Sequence, residues 1–192
     1  RPGGGALGLS LFLFNKSECA SQSYSHIKKI KTMGVRTIDI SGIEFENASI
    51  SENSIVGKDG GGLELTLKTL LVSRTLVSEA CHGILETMLR LTISFCQNRK
   101  IYGKSVLEIE AVQSRLARIH AQMVMQESLI FIVLTRSHIN PDPLSLYSAI
   151  VKYFVPVQSE KLCQELSITL GARYYLREEF CHGIFQKHMR DL

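Results

Sequence analysis

Apolar side chains recur at three- and four-residue spacing along most of the chain after residue 62, and this periodicity is typical of amphipathic helices. It predicts a first helix over Leu63–Cys96 and a second helix over about Leu107–Arg136. Two further helices are predicted, a long one over Leu144–Leu170 and a shorter one over Glu178–Asp191. Long helices joined by short loops pack as an up-down four-helix bundle. The side chains predicted to face the core from the first two helices are Leu63, Leu67, Leu70, Leu76, Ile84, Met88, Leu91, Phe95, Val112, Leu116, Ile119, Met123, Ile130 and Leu134.

Residues that favour helix ends support the bounds of the third helix. Asp142 is predicted as its N-cap and Pro143 as its first helical residue, a position where proline loses no hydrogen bond. Gly171 follows the last apolar residue and is the usual type of residue at a helix C-terminus. Pro156 lies inside the helix and is expected to kink it, because proline removes a backbone donor.

The first part of the chain has the character of β-strands rather than helices. Strands are predicted over Leu9–Phe14, Val35–Ile40 and Gly42–Ile50, with Gly, Ser and Asn between them as turn residues. Three such strands do not complete a sheet. The glycine-rich segment 57–62 is predicted to be a hinge. The predicted domains are residues 1–57 and residues 58–192.

The composition excludes several classes of protein. A net charge of +4 is spread along the chain without a basic and aromatic patch, which argues against a nucleic-acid binder. The longest apolar run, Leu129–Leu134, is far shorter than the roughly 20 residues of a membrane-spanning helix. Five cysteines without a Cys-x-x-Cys spacing favour buried thiols in a reducing compartment. Because the chain starts without Met, we expect it to be a segment of a longer protein.

Local motifs for catalysis or metal binding do not stand out. The six histidines form no His-x-x-x-His pair, so no metal site is predicted. A Gly-x-Ser-x-Gly nucleophile motif is also missing from the sequence. The glycines Gly60–Gly62 precede a helix but lack the Gly-Lys-Ser/Thr of a phosphate loop, so they are interpreted as a hinge.

The segment Arg99-Lys100-Ile101-Tyr102-Gly103-Lys104, followed by Ile109–Gln113, resembles a motif of the acyl-CoA dehydrogenase family. In that family, Arg-x-x-Phe/Tyr-Gly-x lies between the first two helices of a C-terminal bundle, and Gln-Ala-Val-Gln opens the second helix. The resemblance covers nearly the whole chain, in the same order. Its other parts are Gly8–Leu13, Met33–Arg36, Phe45–Ala48, Leu170–Tyr175 and Met189–Asp191.

The resemblance implies a fold, a cofactor and partners. Residues 1–57 would be the incomplete C-terminal part of a middle β domain, and residues 58–192 most of a C-terminal four-helix bundle. It implies an oxidoreductase that binds FAD at the interface of a homodimer or homotetramer. The substrate would be an acyl-CoA or acyl-carrier-protein thioester, and the electron acceptor a protein such as an electron-transfer flavoprotein. The protein would work in the cytoplasm, or in a mitochondrial or peroxisomal matrix.

The resemblance also implies roles for individual residues. Arg99 would contact the FAD pyrophosphate across the dimer, and Tyr102 would pack against the cofactor. Arg74 would lie near the thioester, with Ser73 beside it where a minority of the family carries a carboxylate base. The chain departs from the family pattern on the nucleotide side, where Glu110 and Ile168 replace glutamines and Ala172 replaces a glycine. The predicted cofactor-binding residues are Arg99, Tyr102, Glu110, Ile168, Gly171 and Ala172.

The reaction of the family requires a general base that removes the α-proton of the thioester. Ser73 cannot serve as a carboxylate base, and Glu79 and Glu86 lie more than one helical turn from it. No catalytic residue is therefore predicted within the chain, and a carboxylate is expected shortly after Leu192. Three hypotheses remain: an FAD-dependent α,β-dehydrogenase, a non-catalytic binding or dimerisation protein that has lost part of the FAD site, and a flavin monooxygenase or nitroalkane oxidase.

Overall fold

The computed structural model describes residues 4–18, 23–178 and 181–192. The chain forms two compact units, Arg1–Leu70 and Leu71–Leu192. The domain division predicted after residue 57 stays a prediction. No helix within the described ranges has a stretch long and apolar enough to cross a bilayer.

The first unit contains two separate antiparallel strand pairs. Strand β1 (Leu11–Phe12) pairs with β4 (Ile55–Val56), and strand β2 (Tyr24–Ile27) pairs with β3 (Gly42–Phe45). Phe14 packs edge-to-face against aromatic side chains of the second pair, 4.7 Å from the ring centre of Phe45. No side chain described in this unit is fully buried. The unit therefore exposes much of its apolar surface.

The strand predictions were correct only in part. The segment Val35–Ile40 is not a strand, because Val35 has a φ of 50° and starts a turn in which the Ile38 amide donates to the Val35 carbonyl. Strand β3 ends at Phe45 instead of Ile50, since Asn47 also has a φ of 50°. Of the strand predicted over Leu9–Phe14, only β1 (Leu11–Phe12) forms. Strand β2 was missed because Tyr-Ser-His-Ile is short and half polar.

The predicted mainly α fold with four bundle helices is confirmed. Helix α1 spans Gly62–Asn98, α2 spans Glu110–Ile139, α3 spans Leu144–Leu170 and α4 spans Ile184–Asp191. The predicted bounds of the third helix agree with the structure, and the first two helices run two or three residues longer at their C-terminal ends. Two hydrophobic clusters form the core, one that includes Leu85, Met88, Ile119, Leu162, Leu166 and Phe185 and one made of Ile130, Val133, Val151 and Val155.

Helix α1 buries Met88 as predicted, and the predicted Ile84 and Phe95 pack against the core, but its first half buries polar side chains instead of the predicted leucines. Its first buried positions are Thr75, Ser78 and His82, whereas Leu67 and Leu76 are exposed. The hydroxyls of Thr75 and Ser78 donate to carbonyls four residues earlier in the same helix, 3.4 and 3.1 Å away. Each of these bonds satisfies a hydroxyl within its own helix, so both side chains can be buried without another hydrogen-bond partner. Leu70, Val72 and Val77 are exposed as well.

The ends of the last two helices differ from the prediction in detail. Pro143, not Asp142, is the N-cap of α3, and its carbonyl accepts hydrogen bonds from the Leu146 and Tyr147 amides. The fourth helix begins at Ile184 rather than Glu178, because Gly183 has a φ of 69° that interrupts a helix. A short 3₁₀ turn, Cys181–Gly183, precedes it, and residues 179–180 of the predicted helix lie outside the described residues. Pro156 lies inside α3, which is continuous through it.

Candidate functional site

A tight β-hairpin connects α1 to α2 and carries the arginine motif. Its strands are β5 (Lys100–Ile101) and β6 (Lys104–Ser105), and its two turn residues, Tyr102 and Gly103, have φ values of 54° and 79°. Positive φ at both turn residues matches the twist of a two-residue hairpin, but a large aromatic residue rarely adopts it. The Tyr102 side chain is 97% exposed. The hairpin therefore holds a phenol ring outward at the cost of backbone strain.

Hydrogen bonds fix the base of this hairpin and thereby the position of Arg99. The Ser105 hydroxyl donates to the Cys96 carbonyl at 2.7 Å, and Ser105 forms a capping box with Glu108 at the start of the next turn. The Arg99 amide donates to the Phe95 carbonyl at 2.9 Å, and the Arg99 carbonyl accepts from the Val106 amide at 2.8 Å. Both backbone groups of Arg99 are thus fixed, while its side chain is exposed.

Arg99 lines a shallow cleft of about 210 Å³ at the end of α1. The cleft also contains Arg173, whose guanidinium carbon lies 5.3 Å from the ring centre of Phe95. This distance is within the range of a cation–π contact. Asn98 and Ser94 add an amide and a hydroxyl, and the described lining includes no carboxylate. Two guanidinium groups with neutral polar neighbours form a donor set that suits phosphate oxygens.

The segment after α3 supplies the second side of this cleft. Helix α3 ends at Gly171, which has a φ of 60°, and a 3₁₀ turn over Gly171–Tyr175 contains Ala172 and Arg173. Ile168, one helical turn earlier, is 67% exposed. On α2, Arg115 donates to the Thr169 hydroxyl at 3.2 Å and so fixes the end of α3. The structure thus brings Gly171 and Ala172 next to a residue that lines the Arg99 cleft.

Other predicted site residues are not brought to this cleft. Ser73 and Arg74 are half-buried on α1, and the 25 residues from Arg74 to Arg99 correspond to about 37 Å along a helix. Within the described ranges, no carboxylate lies within ion-pair distance of the Arg74 guanidinium. Glu110 is the exposed first residue of α2 and does not line the cleft. Ser73 and Arg74 therefore lie apart from the Arg99 cleft.

Arg173 is the residue that sequence reasoning missed. It follows Gly171 and Ala172, two predicted nucleotide contacts. The sequence does not indicate, however, where the side chain of a single arginine points. The relevant pattern was an arginine two residues after the glycine that ends a helix. The 3₁₀ turn at this position directs the arginine side chain back toward Phe95. Among the described residues, no three His, Cys, Asp or Glu side chains come together in a way that could bind a metal ion.

A larger basic cavity in the first unit has a structural explanation. It has a volume of about 530 Å³ and lies beside the cations of the loop between β2 and β3. Lys29 Nζ donates to the Arg36 carbonyl at 3.2 Å, and Arg36 Nε donates to the Met33 carbonyl at 3.2 Å. These two side chains hold the loop in its conformation. Its lining residues are Lys28, Lys29, Ile30, Lys31, Thr32 and Arg36.

Comparisons with known proteins agree with the fold and show the family. The family described as acyl-CoA dehydrogenase, C-terminal domain, matches residues 60–192. The probable acyl-CoA dehydrogenase FadE25 of Mycobacterium tuberculosis is 26% identical over 174 residues, which cover 90% of this chain and 44% of that protein. The chain spans less than half the length of this relative. It belongs to the acyl-CoA dehydrogenase family.

Solved structures show the same fold at lower sequence identity. Butyryl-CoA dehydrogenase from Megasphaera elsdenii superimposes with a TM-score of 0.86 at 21% identity, over 97% of this chain and 47% of that one. The prolyl acyl carrier protein oxidase AnaB superimposes with a TM-score of 0.82 at 19% identity, over 98% of this chain and 49% of that one. At these identities the likeness establishes the fold alone.

Proposed function

We propose that this chain forms the C-terminal part of an FAD-dependent α,β-dehydrogenase of acyl thioesters. Family membership supports the reaction class, and the cleft beside Arg99 supports the cofactor. The donor set of this cleft, two guanidinium groups with an amide and a hydroxyl and no described carboxylate, is the observation that carries the proposal. It fits the diphosphate of a dinucleotide. When bound, FAD supplies the two-electron acceptor of the reaction.

The residues of the chain take separate parts in this proposal. Arg99 binds the diphosphate, and the exposed ring of Tyr102 packs against the cofactor. The backbone at Gly171 and Ala172 lies on the nucleotide side, together with Ile168. Glu110 is a further nucleotide-side residue of the proposal, although it does not line the cleft. Arg74 and Ser73 lie on the thioester side.

The separation of Arg74 from Arg99 has a consequence for assembly. If one FAD contacted both residues within one chain, it would have to cover about 37 Å of helix. We therefore propose that Arg99 serves a cofactor whose reactive end lies in a second subunit, and that the protein works as a homo-oligomer. The thioester carrier is CoA or an acyl-carrier protein, and an electron-transfer flavoprotein is the proposed acceptor.

The second candidate is a non-catalytic family member that has lost the cofactor. Ile168 favours it, because its exposed side chain offers no hydrogen bond to an adenine ring. Ala172 also adds a methyl group where the family pattern has glycine. This candidate predicts a colourless full-length protein without thioester dehydrogenation.

The absorption spectrum of the full-length protein is the first test. We expect bound flavin and the oxidation of an acyl thioester with an artificial electron acceptor. Arg99→Ala is expected to weaken FAD binding by about 10- to 100-fold, the effect of losing a hydrogen bond to a charged group. Arg99→Lys should also bind more weakly, because an ammonium cannot form the two parallel bonds of a guanidinium.

The matched control for Arg99 is Lys100→Ala. Lys100 is the next residue, is exposed and does not line the cleft. Its substitution removes one positive charge from the same hairpin and should leave FAD affinity unchanged. Equal FAD affinity in the wild type, Arg99→Ala and Arg99→Lys would remove Arg99 from the site. A colourless full-length protein that binds no added FAD would favour the non-catalytic candidate.

A further inference from the structure

Two guanidinium groups from distant parts of the sequence line the same cleft. Arg99 follows α1, and Arg173 lies in the 3₁₀ turn after α3. Arginine stays protonated at any pH that a folded protein tolerates, so both side chains are cations. No carboxylate in the described parts of the chain forms an ion pair with either of them. Among the described residues, no carboxylate therefore offsets the positive charge of the cleft.

The position of Arg173 is held by packing rather than by an ion pair. Its guanidinium lies over the ring of Phe95, which is on α1 one turn before Arg99. A planar guanidinium that stacks on a ring keeps its edge N–H groups free to donate in the ring plane. Because Arg99 and Arg173 line the same cleft, an anion bound there can accept hydrogen bonds from both guanidinium groups.

We infer that Arg173 is a second phosphate-binding residue, and that Arg99 and Arg173 bind one dinucleotide diphosphate between them. The inference deepens the proposed function and rests on it, because the diphosphate is that of FAD. A diphosphate carries two negative charges and offsets the two cations of the cleft. The cleft has a volume of about 210 Å³ and is lined by both guanidinium groups.

This arrangement gives Arg173 a role that compensates for the departures on the nucleotide side. Ile168 and Ala172 weaken the contacts expected for the adenosine half of FAD. A second cation on the diphosphate adds a charge-assisted contact one residue after Ala172. Binding then depends more on the diphosphate and less on the adenine than the family motifs imply.

A structural role of Arg173 makes a different prediction. The C-terminal end of α3 carries partial negative charge and attracts a cation in the following turn. If that were its only role, loss of the Arg173 charge would lower the melting temperature of the FAD-free protein and leave the affinity for phosphates unchanged. The test must therefore measure stability and binding separately.

The experiment compares Arg173→Gln, Arg173→Lys and Arg177→Gln in the full-length protein after removal of flavin. Arg177 is exposed, lies on the same segment and does not line the cleft, so its variant controls for net charge. FAD affinity is measured by quenching of flavin fluorescence, and inorganic pyrophosphate and ADP are measured by competition. The melting temperature of each FAD-free variant is recorded alongside.

We expect Arg173→Gln to weaken both FAD and pyrophosphate binding by about 10- to 100-fold, while Arg177→Gln binds as the wild type does. The FAD affinity of Arg173→Lys should lie between those of Arg173→Gln and Arg177→Gln. The ³¹P resonances of the bound diphosphate should also shift in Arg173→Lys, because an ammonium group replaces the two parallel donors of the guanidinium. The dependence of FAD affinity on salt should become shallower in Arg173→Gln, because one cation fewer meets the phosphates.

Unchanged FAD and pyrophosphate affinity in both Arg173 variants would overturn the inference, whatever their melting temperatures. If Arg99→Ala still weakened FAD binding in that case, the proposed function would stand without Arg173. If neither arginine affected FAD affinity, or if the wild type bound no FAD, the proposed cofactor site would fail together with the inference. Should Arg173→Gln not fold, Arg173→Lys and its ³¹P spectrum decide the question.

Discussion

Thiols in the bundle core show how burial controls the chemistry of single residues. The four cysteines that the structure describes are free, and Cys96 and Cys163 are buried as the sequence predicts. Burial raises the pKa of the Cys163 thiol to about 12 from its ordinary value of 9.0, and the nearby Cys81 and Glu160 add to the effect. Burial also raises the pKa of the Cys96 thiol. These side chains act as small apolar groups rather than as nucleophiles.

The raised pKa of Cys163 predicts a loss of stability at alkaline pH. The folded state holds this proton more tightly than the unfolded state, so the stabilisation is complete below about pH 9 and declines as the pH rises toward 12. Between pH 8 and pH 10 the titration of Cys163 should lower the free energy of unfolding by about 1 kcal/mol. Urea unfolding at several pH values measures the slope, which should be shallower in Cys163→Ala than in the wild type.

The half-buried Cys181 supplies the control for this measurement. Cys181→Ala should keep the wild-type slope. Lysines and tyrosines also titrate in this pH range, but they contribute equally to all three proteins. Slopes that are the same in Cys163→Ala and in the wild type would contradict the assignment.

At the level of elements, the start and the middle of helix α1 place opposite demands on glycine. A Cβ at Gly62 would lie 2.8 Å from the Leu11 amide nitrogen and 2.9 Å from the Leu9 carbonyl oxygen. The Gly62 amide also donates to that carbonyl at 2.8 Å. Only a residue without a side chain allows this approach of backbone to backbone. At Gly83, in the middle of the same helix, no described heavy atom beyond the adjacent residues and the local helix backbone lies within 4 Å of the ideal Cβ position.

Alanine substitutions at these glycines should have opposite effects on stability. Gly62→Ala should lower the free energy of unfolding by about 1–3 kcal/mol, because the clashing atoms are backbone and cannot move by a rotamer change. Gly83→Ala should raise it by about 0.5–1 kcal/mol, because alanine favours a helix interior more than glycine does. Thermal unfolding followed by circular dichroism measures both changes. A stabilised Gly62→Ala protein would contradict the close approach seen at the start of α1.

On the scale of the whole molecule, both units expose apolar side chains that a single chain does not cover. Helix α2 buries Met123 and Ile130, as predicted, and it also buries Val133, whereas Phe131 and Ile132 are 68% and 54% exposed. Val124 and Met125 on the same helix are also exposed. Soluble monomers rarely leave such patches open, and homo-oligomers bury them between symmetric copies.

The full-length protein should therefore sediment as a dimer or a larger oligomer. Phe131→Glu places a charge in the exposed α2 patch and should shift the sedimentation coefficient toward that of the monomer. Ser114→Glu adds the same charge at the exposed start of α2 and should leave the assembly unchanged. A monomer mass for the wild type, measured by sedimentation equilibrium, would contradict this prediction.

Elements whose formation depends on local patterns could be predicted from the sequence. The bounds of α3 followed from its apolar periodicity and from Gly171, and the four-helix bundle followed from long helices with short connections. The motif around Arg99 and Tyr102 identified the family, which the match over residues 60–192 confirms. Because these features depend on neighbours within a few residues, a single sequence carries enough information to predict them.

Features that depend on contacts between distant residues could not be predicted from local patterns. In the first half of α1, the spacing of the leucines predicted the wrong buried side chains, since Thr75 and Ser78 satisfy their hydroxyls within the helix and can pack inside. Strand β2 is stabilised by its pairing with β3, which no local pattern in Tyr-Ser-His-Ile reveals. Arg173 meets the Arg99 cleft because the turn after α3 directs its side chain onto Phe95 of α1, 78 positions earlier in the sequence. Periodicity describes one element at a time, whereas these contacts arise from the packing of several elements.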